Sequence, residues 1–474
     1  MSVPVDKSSR QHVSVVIAGH VDSGKSTTTG RLIFELGGVT KREMDKLTEE
    51  AKLLKDESFK YAYYTDTTKQ ERERGITIQC TTKQFFTDNY HYTIIDAPGH
   101  RDFMKNMITG ASQADVGVLM VPADSNFVSA IAKEDHDSNQ VQGQTRQHGL
   151  MFNLLGIKQL IVCVNKMDCD TAKYSKERFD EIKNEMMDML VKVGWSKPLI
   201  EKGVVFLPIS GYKGDNLITK STNMSWWTGT DVALPKSAGG GSVHVETLLE
   251  ALNNFVRLPP RKTDVPFRMP VSGVHNIKGI GDVITGRVEQ GVVKPSNEVV
   301  FLPSHTASND CSGKVFSIEI HHTSKAEALP GDNVGLSIKG LAKDRLPKVG
   351  DVMILKSDTT LKAAKRFTAQ IQVLGHPGEL KVGYCPIGFV RTGRSSIKLV
   401  KINWRNGKET GNQKVDNPDH IKTGDVAEVV FEPTAAHGFV VEEFDKCEGL
   451  ARLAVMEGNS AVMLGKIIAT ETDA

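Results

Sequence analysis

At 474 residues the chain has room for about three domains of roughly 100–200 residues each. Its 59 Lys plus Arg against 57 Asp plus Glu give a formal net charge of +2, which excludes a generic polyanion binder and leaves nucleic-acid contact to local patches. The six cysteines, Cys80, Cys163 and Cys311 among them, form no C-x-x-C pair and read as reduced thiols, not as zinc ligands or disulfides. The polar Met1–Arg10 stretch lacks a signal peptide's apolar core, and no apolar run reaches the roughly 18 residues of a spanning helix. A cytoplasmic protein with no membrane contact is expected.

In chain order, Val13–Ala18 is apolar and β-branched and predicts a strand, broken by Gly19–Gly24. A helix follows over Ser26–Leu36 and stops at Gly37-Gly38. Tyr92–Ile95, Val116–Val121, Leu160–Val164 and Val204–Leu207 predict further strands. Phe179–Val193 carries Phe179, Ile182, Met186, Met189 and Val193 at helical spacing. Such alternation predicts a mostly parallel sheet with helices on both faces. Near Leu258-Pro259-Pro260 the rhythm changes, and the polar Arg261–Asp264 stretch reads as a linker. Beyond it, short β-rich runs separated by glycine turns predict β-barrels or sandwiches, with the polar Lys356–Lys362 segment joining two of them.

Gly19-His20-Val21-Asp22-Ser23-Gly24-Lys25-Ser26 fits G-x-x-x-x-G-K-[ST] between a predicted strand and a predicted helix, the setting a phosphate-binding loop requires. Glycines let backbone N–H groups turn inward around a β-phosphate, and the helix N-terminus adds positive potential. Lys25 neutralises β- and γ-oxygens, and the Ser26 hydroxyl, followed by Thr27, is placed to ligate Mg²⁺. Asp96, at the end of an apolar strand in Asp96-Ala97-Pro98-Gly99, is the candidate to hold that ion through water, and the Gly99 N–H to meet the γ-phosphate. Asn165-Lys166-Met167-Asp168 ends another strand. Its Asp168 carboxylate can accept from two guanine donors, and leaving that carboxylate unpaired rejects adenine by about 10⁴–10⁵ by analogy with other hydrogen-bonding sites. The stem of Lys166 would lie along the base, and Ser210-Gly211-Tyr212 would complete the pocket.

These motifs, with Glu73-Arg74-Gly75-Ile76-Thr77-Ile78 and Asp96-Ala97-Pro98-Gly99-His100-Arg101-Asp102-Phe103, resemble the translational GTPases, most closely the elongation factor 1-alpha family. The resemblance covers nearly the whole chain and includes 103–110 and 329–335. It implies an α/β P-loop GTPase domain over 1–258, a β-barrel domain 2 over 259–360 for the aminoacyl end of tRNA, and a β-barrel domain 3 over 361–474 for tRNA and exchange-factor contacts. The chain departs from the usual pattern in two places. A polar stretch lengthens 124–144, read as a solvated surface loop, and Glu457-Gly458-Asn459-Ser460 stands where the family has an arginine-bearing turn. Both features resemble the family's divergent elongation-factor-like branch. The missing arginine puts the usual contact of domain 3 with the tRNA T-stem in doubt.

By resemblance, 69–77 is switch I, and Thr77 binds Mg²⁺ through its hydroxyl and senses the γ-phosphate through its backbone. His100 positions the attacking water, with Val21 and Ile76 as an apolar gate that holds it back until activation. Asp22 is a candidate to hold a monovalent cation. No arginine in cis is an evident finger; by resemblance, the ribosome supplies the activation instead, worth about 10⁵ in rate, roughly 7 kcal/mol. Glu319 matches the position that meets the terminal adenosine of aminoacyl-tRNA. The basic run Arg391, Arg394, Lys398, Lys401, Arg405 and Lys408 is either a phosphate-contacting face or a solvated strand edge. Trp226-Trp227 reads as packing. A guanine-nucleotide exchange factor, a monomeric state and contact with actin are further implications of the resemblance.

Other roles fit the sequence less well than tRNA delivery. A termination or rescue GTPase usually carries a long extension before its P-loop, which here begins at Gly19. A GTPase subunit of a sulfate-activating enzyme fits the match less well. A non-catalytic cytoskeletal bundler with a relic nucleotide site would not need every chemical residue intact.

Overall fold

The computed structural model describes residues 10–53, 60–66, 68, 71–72, 77, 81–99, 107, 111, 114–132, 143–235, 240–258, 260–320, 323–435, 438–458 and 460–472. Two compact units divide the chain, Met1–Pro260 and Arg261–Ala474.

The first unit contains, in chain order, β1 (Gln11–Gly19), α1 (Lys25–Glu35), α2 (Lys41–Leu53), α3 (Ala62–Thr65), β2 (Thr81–Phe86), β3 (Tyr90–Asp96), β4 (Val116–Pro122), α4 (Asn126–Ile131), α5 (Gln144–Leu155), β5 (Gln159–Asn165), α6 (Lys176–Lys192), α7 (Lys197–Gly203) and β6 (Val204–Pro208). The six strands form one sheet in the order β2-β3-β1-β4-β5-β6. Every neighbouring pair is parallel except β2 with β3. β4, β5 and β6 are buried along their whole length, which is why they read as unbroken apolar runs. β2 escapes that reading because Thr-Thr-Lys-Gln-Phe-Phe buries only Phe85, as an edge strand can. The run at α6 behaves as its periodicity predicts. Phe179, Ile182, Met186, Met189 and Leu190 are buried, and the Ser175 hydroxyl caps the start by accepting from Arg178 N at 3.3 Å. Gly194, at φ +92, follows the end of this helix. Trp226 and Trp227 pack against Phe179, at ring-centroid distances of 5.6 and 5.5 Å. A short hairpin of β7 (Thr230–Ala233) and β8 (Ser242–Val245) stands apart from the main sheet.

The second unit is two closed barrels. β9 (Met269–Ile277), β10 (Gly281–Arg287), β11 (Glu298–Leu302), β12 (Ser312–Ile320), β13 (Thr323–Lys325), β14 (Asn333–Lys339) and β15 (Val352–Leu355) make the first. Its ring runs β11-β15-β9-β10-β14-β12 and closes where β12 returns to β11, with β13 added outside β12. β16 (Ala364–Val373), β17 (Leu380–Lys381), β18 (Ile387–Val390), β19 (Gly393–Asn406), β20 (Val415–Asp416), β21 (His420–Ile421), β22 (Val426–Pro433), β23 (Arg452–Glu457) and β24 (Ser460–Thr472) make the second. Six of these strands ring it as β18-β23-β24-β16-β22-β19, closed by β18 on β19. Closure removes free sheet edges, and the inward residues of each ring form a separate apolar core.

A third apolar cluster joins the barrels. It sets Val300, Val352 and Ile354 of the first against Leu361, Val440, Cys447 and Leu450. Arg268 lies there too and is the largest fully buried side chain among the described residues. Its guanidinium donates from Nε to Glu442 Oε2 at 3.1 Å, from Nη2 to Glu442 Oε1 at 3.3 Å and to Thr360 Oγ1 at 3.0 Å, and from Nη1 to Asp358 and to the Phe267 carbonyl. A second pair, Arg391 Nη2 to Glu289 Oε2 at 2.8 Å, also crosses from one barrel to the other. Removing the buried cation strands two carboxylates. Arg268→Ala is therefore expected to destabilise the barrel unit by about 3–5 kcal/mol, read as a lower urea midpoint by circular dichroism, and Arg268→Lys should recover only part of the loss because it lacks the fork.

Candidate nucleotide site

The site is assembled at the C-terminal ends of β1, β3 and β5 and in the turn after β6, where an open parallel sheet presents its ligand-binding loops. The 19–24 loop leaves β1 and enters α1 with Gly24 in the left-handed region, at φ +84. A Cβ there would lie 2.4 Å from Asn165 Nδ2, and one at Gly19 would lie 2.3 Å from the Met120 carbonyl oxygen. Both positions thus demand glycine, and Asp22 shares the left-handed backbone at φ 59. His20 O accepts from Ser23 N at 3.2 Å and from Lys25 Nζ at 2.9 Å. Val21 N donates to Gln144 Oε1 at 3.0 Å, which ties the loop to the start of α5. Thr27 follows on the half-buried side of α1, while Asp22 is exposed.

Lys25 is buried, and burial pulls its pKa below the usual lysine range, opposed by Asp96, Asp22 and Asp66. Its Nζ approaches the turn after β3 closely enough that a Cβ on Gly99 would lie 2.5 Å away. Asp96 ends β3, and neither of its buried carboxylate oxygens completes a hydrogen bond. Burial pushes its pKa up to about 6; Lys25 and the nearby Ser26 and Thr65 hydroxyls favour the charged form. Ser26 Oγ lies 3.2 Å from Thr77 Oγ1, and Thr77 Oγ1 donates to Asp66 Oδ1 at 3.0 Å. Two hydroxyls and two buried carboxylates therefore meet beside the ammonium of Lys25.

Asp66 is the site residue that sequence reasoning missed. It stands 11 residues before Thr77 in a segment with no short motif, so only the tertiary contact reveals it. Burial pushes its pKa up to about 7, and the charge of Asp96 adds to the shift; the Thr77 hydrogen bond opposes it, and Glu71 raises it further.

The base side is built on one asparagine. Asn165 Nδ2 donates to Ser23 O at 2.8 Å, and its Oδ1 accepts from Gly211 N at 2.8 Å. One buried amide thus holds the phosphate loop and the Ser210-Gly211-Tyr212 turn together. Gly211 packs so tightly on α1 that a Cβ would lie 2.0 Å from Thr28 Oγ1. Lys166, in the left-handed region at φ 64, forms an ion pair with Asp124 at 2.9 Å. Asp168 is half-buried and Tyr212 is exposed. His100, Ile76 and residues 133–142 of the 124–144 lengthening lie outside the described residues. Glu319, in the other unit, is half-buried on β12, where it pairs with Ser324 and Gly335. Within the basic run, Arg394, Lys398 and Lys401 are exposed on β19, whereas Arg391 and Arg405 are paired with Glu289 and Asp425.

A family model described as the elongation factor Tu GTP binding domain matches residues 10–257. Elongation factor Tu domain 2 matches 281–354, and a GTP-eEF1A C-terminal domain-like model matches 366–468. The chain is 42% identical over 457 residues to the elongation factor 1-alpha of Tetrahymena pyriformis, covering 96% of this chain and 97% of that one. The chain belongs to the elongation factor 1-alpha family. As a translational GTPase of this family it binds GTP and GDP and hydrolyses GTP. Its fold is shared with the S. cerevisiae Ski7 GTPase-like domain bound to GTP, at TM-score 0.74, 18% identity and coverage of 97% and 98% of the two chains. It is shared also with the elongation factor SelB of Methanococcus maripaludis, at TM-score 0.63, 20% identity and coverage of 98% and 80%. Among the described residues no helix is long and apolar enough to cross a membrane.

Asp66 gives the site a measurable pH signature. A carboxyl whose folded pKa is raised is destabilising when ionised. Its penalty is absent below the ordinary value of 3.8 and complete above about 7. In buffer without nucleotide or divalent cation, Asp66→Asn should raise the urea midpoint at pH 8 and leave it nearly unchanged at pH 4. An equal effect at both values would show that the carboxyl is not the source.

Proposed function

We propose that the chain delivers aminoacyl-tRNA to the ribosomal A site, with GTP hydrolysis triggered by the ribosome. The observation that carries this reading is the 42% identity to an elongation factor 1-alpha over 96% of the chain, with all three parts matched in order. Backbone N–H groups of the Gly19–Thr27 stretch, other than those of Val21 and Ser23, wrap the β-phosphate, and Lys25 neutralises the β- and γ-oxygens. Gly99 N–H meets the γ-phosphate, and no side chain fits between it and Lys25. Asn165 fixes the loops, Asp168 reads guanine, Lys166 lies along the base, and Ser210, Gly211 and Tyr212 close the pocket. His100 orients the attacking water behind the gate of Val21 and Ile76.

The residues present fit a magnesium ion. Asp96 keeps two buried carboxylate oxygens without a hydrogen-bond partner, and the Ser26 and Thr77 hydroxyls lie beside each other. Hydroxyls, together with phosphate oxygens and water, are donors of the hard-oxygen kind that Mg²⁺ prefers. Ser26 and Thr77 would ligate it, and Asp96 would hold it through water, with Asp66 supporting Thr77. Bound there, the ion neutralises charge on the β- and γ-phosphates. Asp22 is the candidate for a monovalent cation.

Loss of the γ-phosphate releases Thr77 and Gly99, and the loop ordering they enforce goes with it. Domain 2, over 259–360, takes the aminoacyl end of tRNA at Glu319. Domain 3, over 361–474, takes the tRNA body and an exchange factor. The Glu457 turn and the lengthened 124–144 segment support placement in the elongation-factor-like branch. A cytoplasmic monomer with a secondary contact to actin completes the reading.

Two measurements test it. Asp168→Asn should weaken GTP by about 10²–10⁴-fold and bring xanthosine triphosphate into range, since the amide pairs with the oxygen that xanthine adds. Unchanged base preference would overturn the base-reading role. The form bound to a non-hydrolysable GTP analogue should protect aminoacyl-tRNA from deacylation with an affinity about 5–150-fold above that of the GDP form. Equal protection by both forms would remove the delivery reading.

A further inference from the structure

Asp124 opens the stretch in which this chain departs from the family pattern, and its carboxylate faces the base loop. Its two oxygens have different partners. Oδ1 accepts from Asn126 N at 2.9 Å and closes the turn that leads into α4. Oδ2 accepts from Lys166 Nζ at 2.9 Å. The pair is largely withdrawn from water, with the Asp124 and Lys166 side chains 22% and 31% exposed. The backbone of the turn is held independently of that carboxylate. Ala123 N donates to Asn165 O at 2.8 Å, and the Ala123 carbonyl accepts from Arg178 Nε at 3.1 Å and from Thr171 Oγ1 at 3.3 Å. The Asp124 carbonyl accepts from Arg178 Nη2 at 3.3 Å. On the facing loop, Lys166 sits in the left-handed region at φ 64, a strained conformation for a residue with a Cβ. A strained backbone fixes one end of its four-carbon stem, and a clamped carboxylate fixes the other. Burial first and then the charge of Lys25 lower the His20 pKa, while Asp22 and Asp124 oppose them and Lys166 adds to them. The pair therefore lies near the phosphate loop as well.

We infer that Asp124 is a positioning residue for the guanine pocket, holding the Lys166 stem in place along the base before the nucleotide arrives. A free lysine would give up rotamer freedom on binding, and a lone ammonium beside an uncharged base would lose solvation with no counter-charge. The carboxylate removes both penalties. GDP and GTP carry the same base, so the effect is the same for each. The inference rests on the placement of Lys166 proposed above. A purely structural ion pair would leave nucleotide release unmoved.

The test measures dissociation of fluorescent GDP and of a fluorescent non-hydrolysable GTP analogue from the full chain. It compares wild type, Asp124→Asn, Lys166→Ala and the double variant. Asp124→Asn keeps an oxygen for Asn126 N and removes only the charge, so the urea midpoint should stay at its wild-type value. Both nucleotides should leave about ten-fold faster, the loss expected when a hydrogen bond between charged groups is weakened. The preference for GDP over inosine diphosphate, set by Asp168, should not change. Lys166→Ala should release both nucleotides at least as fast, and adding Asp124→Asn to it should cause no further change. Wild-type release from Asp124→Asn, or an undiminished effect of Asp124→Asn in the Lys166→Ala background, overturns the inference and leaves Lys166 in the pocket. Wild-type release from Lys166→Ala overturns the placement of Lys166 and the inference with it.

Discussion

An ammonium group buried beside carboxylates governs the chemistry of the first unit. Lys25 is drawn out of water by the loop that precedes it, and burial alone disfavours its charge. Asp96 and Asp66 favour that charge, but each is itself buried and pushed toward neutrality, to about 6 and about 7. Neither sign is fully compensated by the protein. Such a site has more charge-stabilising capacity than its own residues consume, and a polyphosphate with its counter-cation is the ligand that uses both signs at once. Thr77 reaches Ser26 and Asp66 through its hydroxyl, so its side chain is bonded directly to the charged centre.

Geometry on the base side works by connection, not by charge. The amide of Asn165 bonds the phosphate loop through Ser23 and the base loop through Gly211. A buried amide satisfied at both ends is expensive to disturb, so the two loops hold a fixed separation. Close packing enforces this, since Gly24 sits against Asn165 and Gly211 against Thr28 with no room for a Cβ. The 19–24 loop and the 210–212 turn are thereby held to a common reference.

What could be read in the amino-acid sequence follows from where each constraint is stored. Gly19–Ser26, Asp96–Gly99 and Asn165–Asp168 are local. Each is a strand end followed by a turn whose steric demands fall within a few residues, so spacing alone carries them. The central strands were legible because burial on both faces leaves a continuous apolar run. β2 was not, because an edge strand with one buried residue has no such signature. Asp66 was hidden for a different reason: its partners are Thr77 and the charge of Asp96, and no motif links them. The polar 356–362 segment reads as a linker, yet it supplies Asp358 and Thr360 to the buried Arg268. Polarity marks a residue for water or for a buried partner, and sequence does not say which.

The second unit gains its definition from the same kind of buried charge. Two barrels that met only through an apolar patch could slide, since dispersion and burial have little directional preference. Arg268 removes that freedom. Its five donors are fixed in a plane, and they are met by Glu442 from one side and by Asp358, Thr360 and the Phe267 carbonyl from the other. Glu289 with Arg391 supplies a second fixed point, and Gly449 allows the close approach there, since a Cβ would lie 2.2 Å from Glu289 Oε2. Two directional contacts around an apolar cluster set orientation as well as proximity. Surface features on the two barrels, such as Glu319 on one and the exposed cations of β19 on the other, are therefore held at a constant spacing. A ligand long enough to touch both would meet a single preorganised surface and lose less entropy on binding than it would against two independent domains.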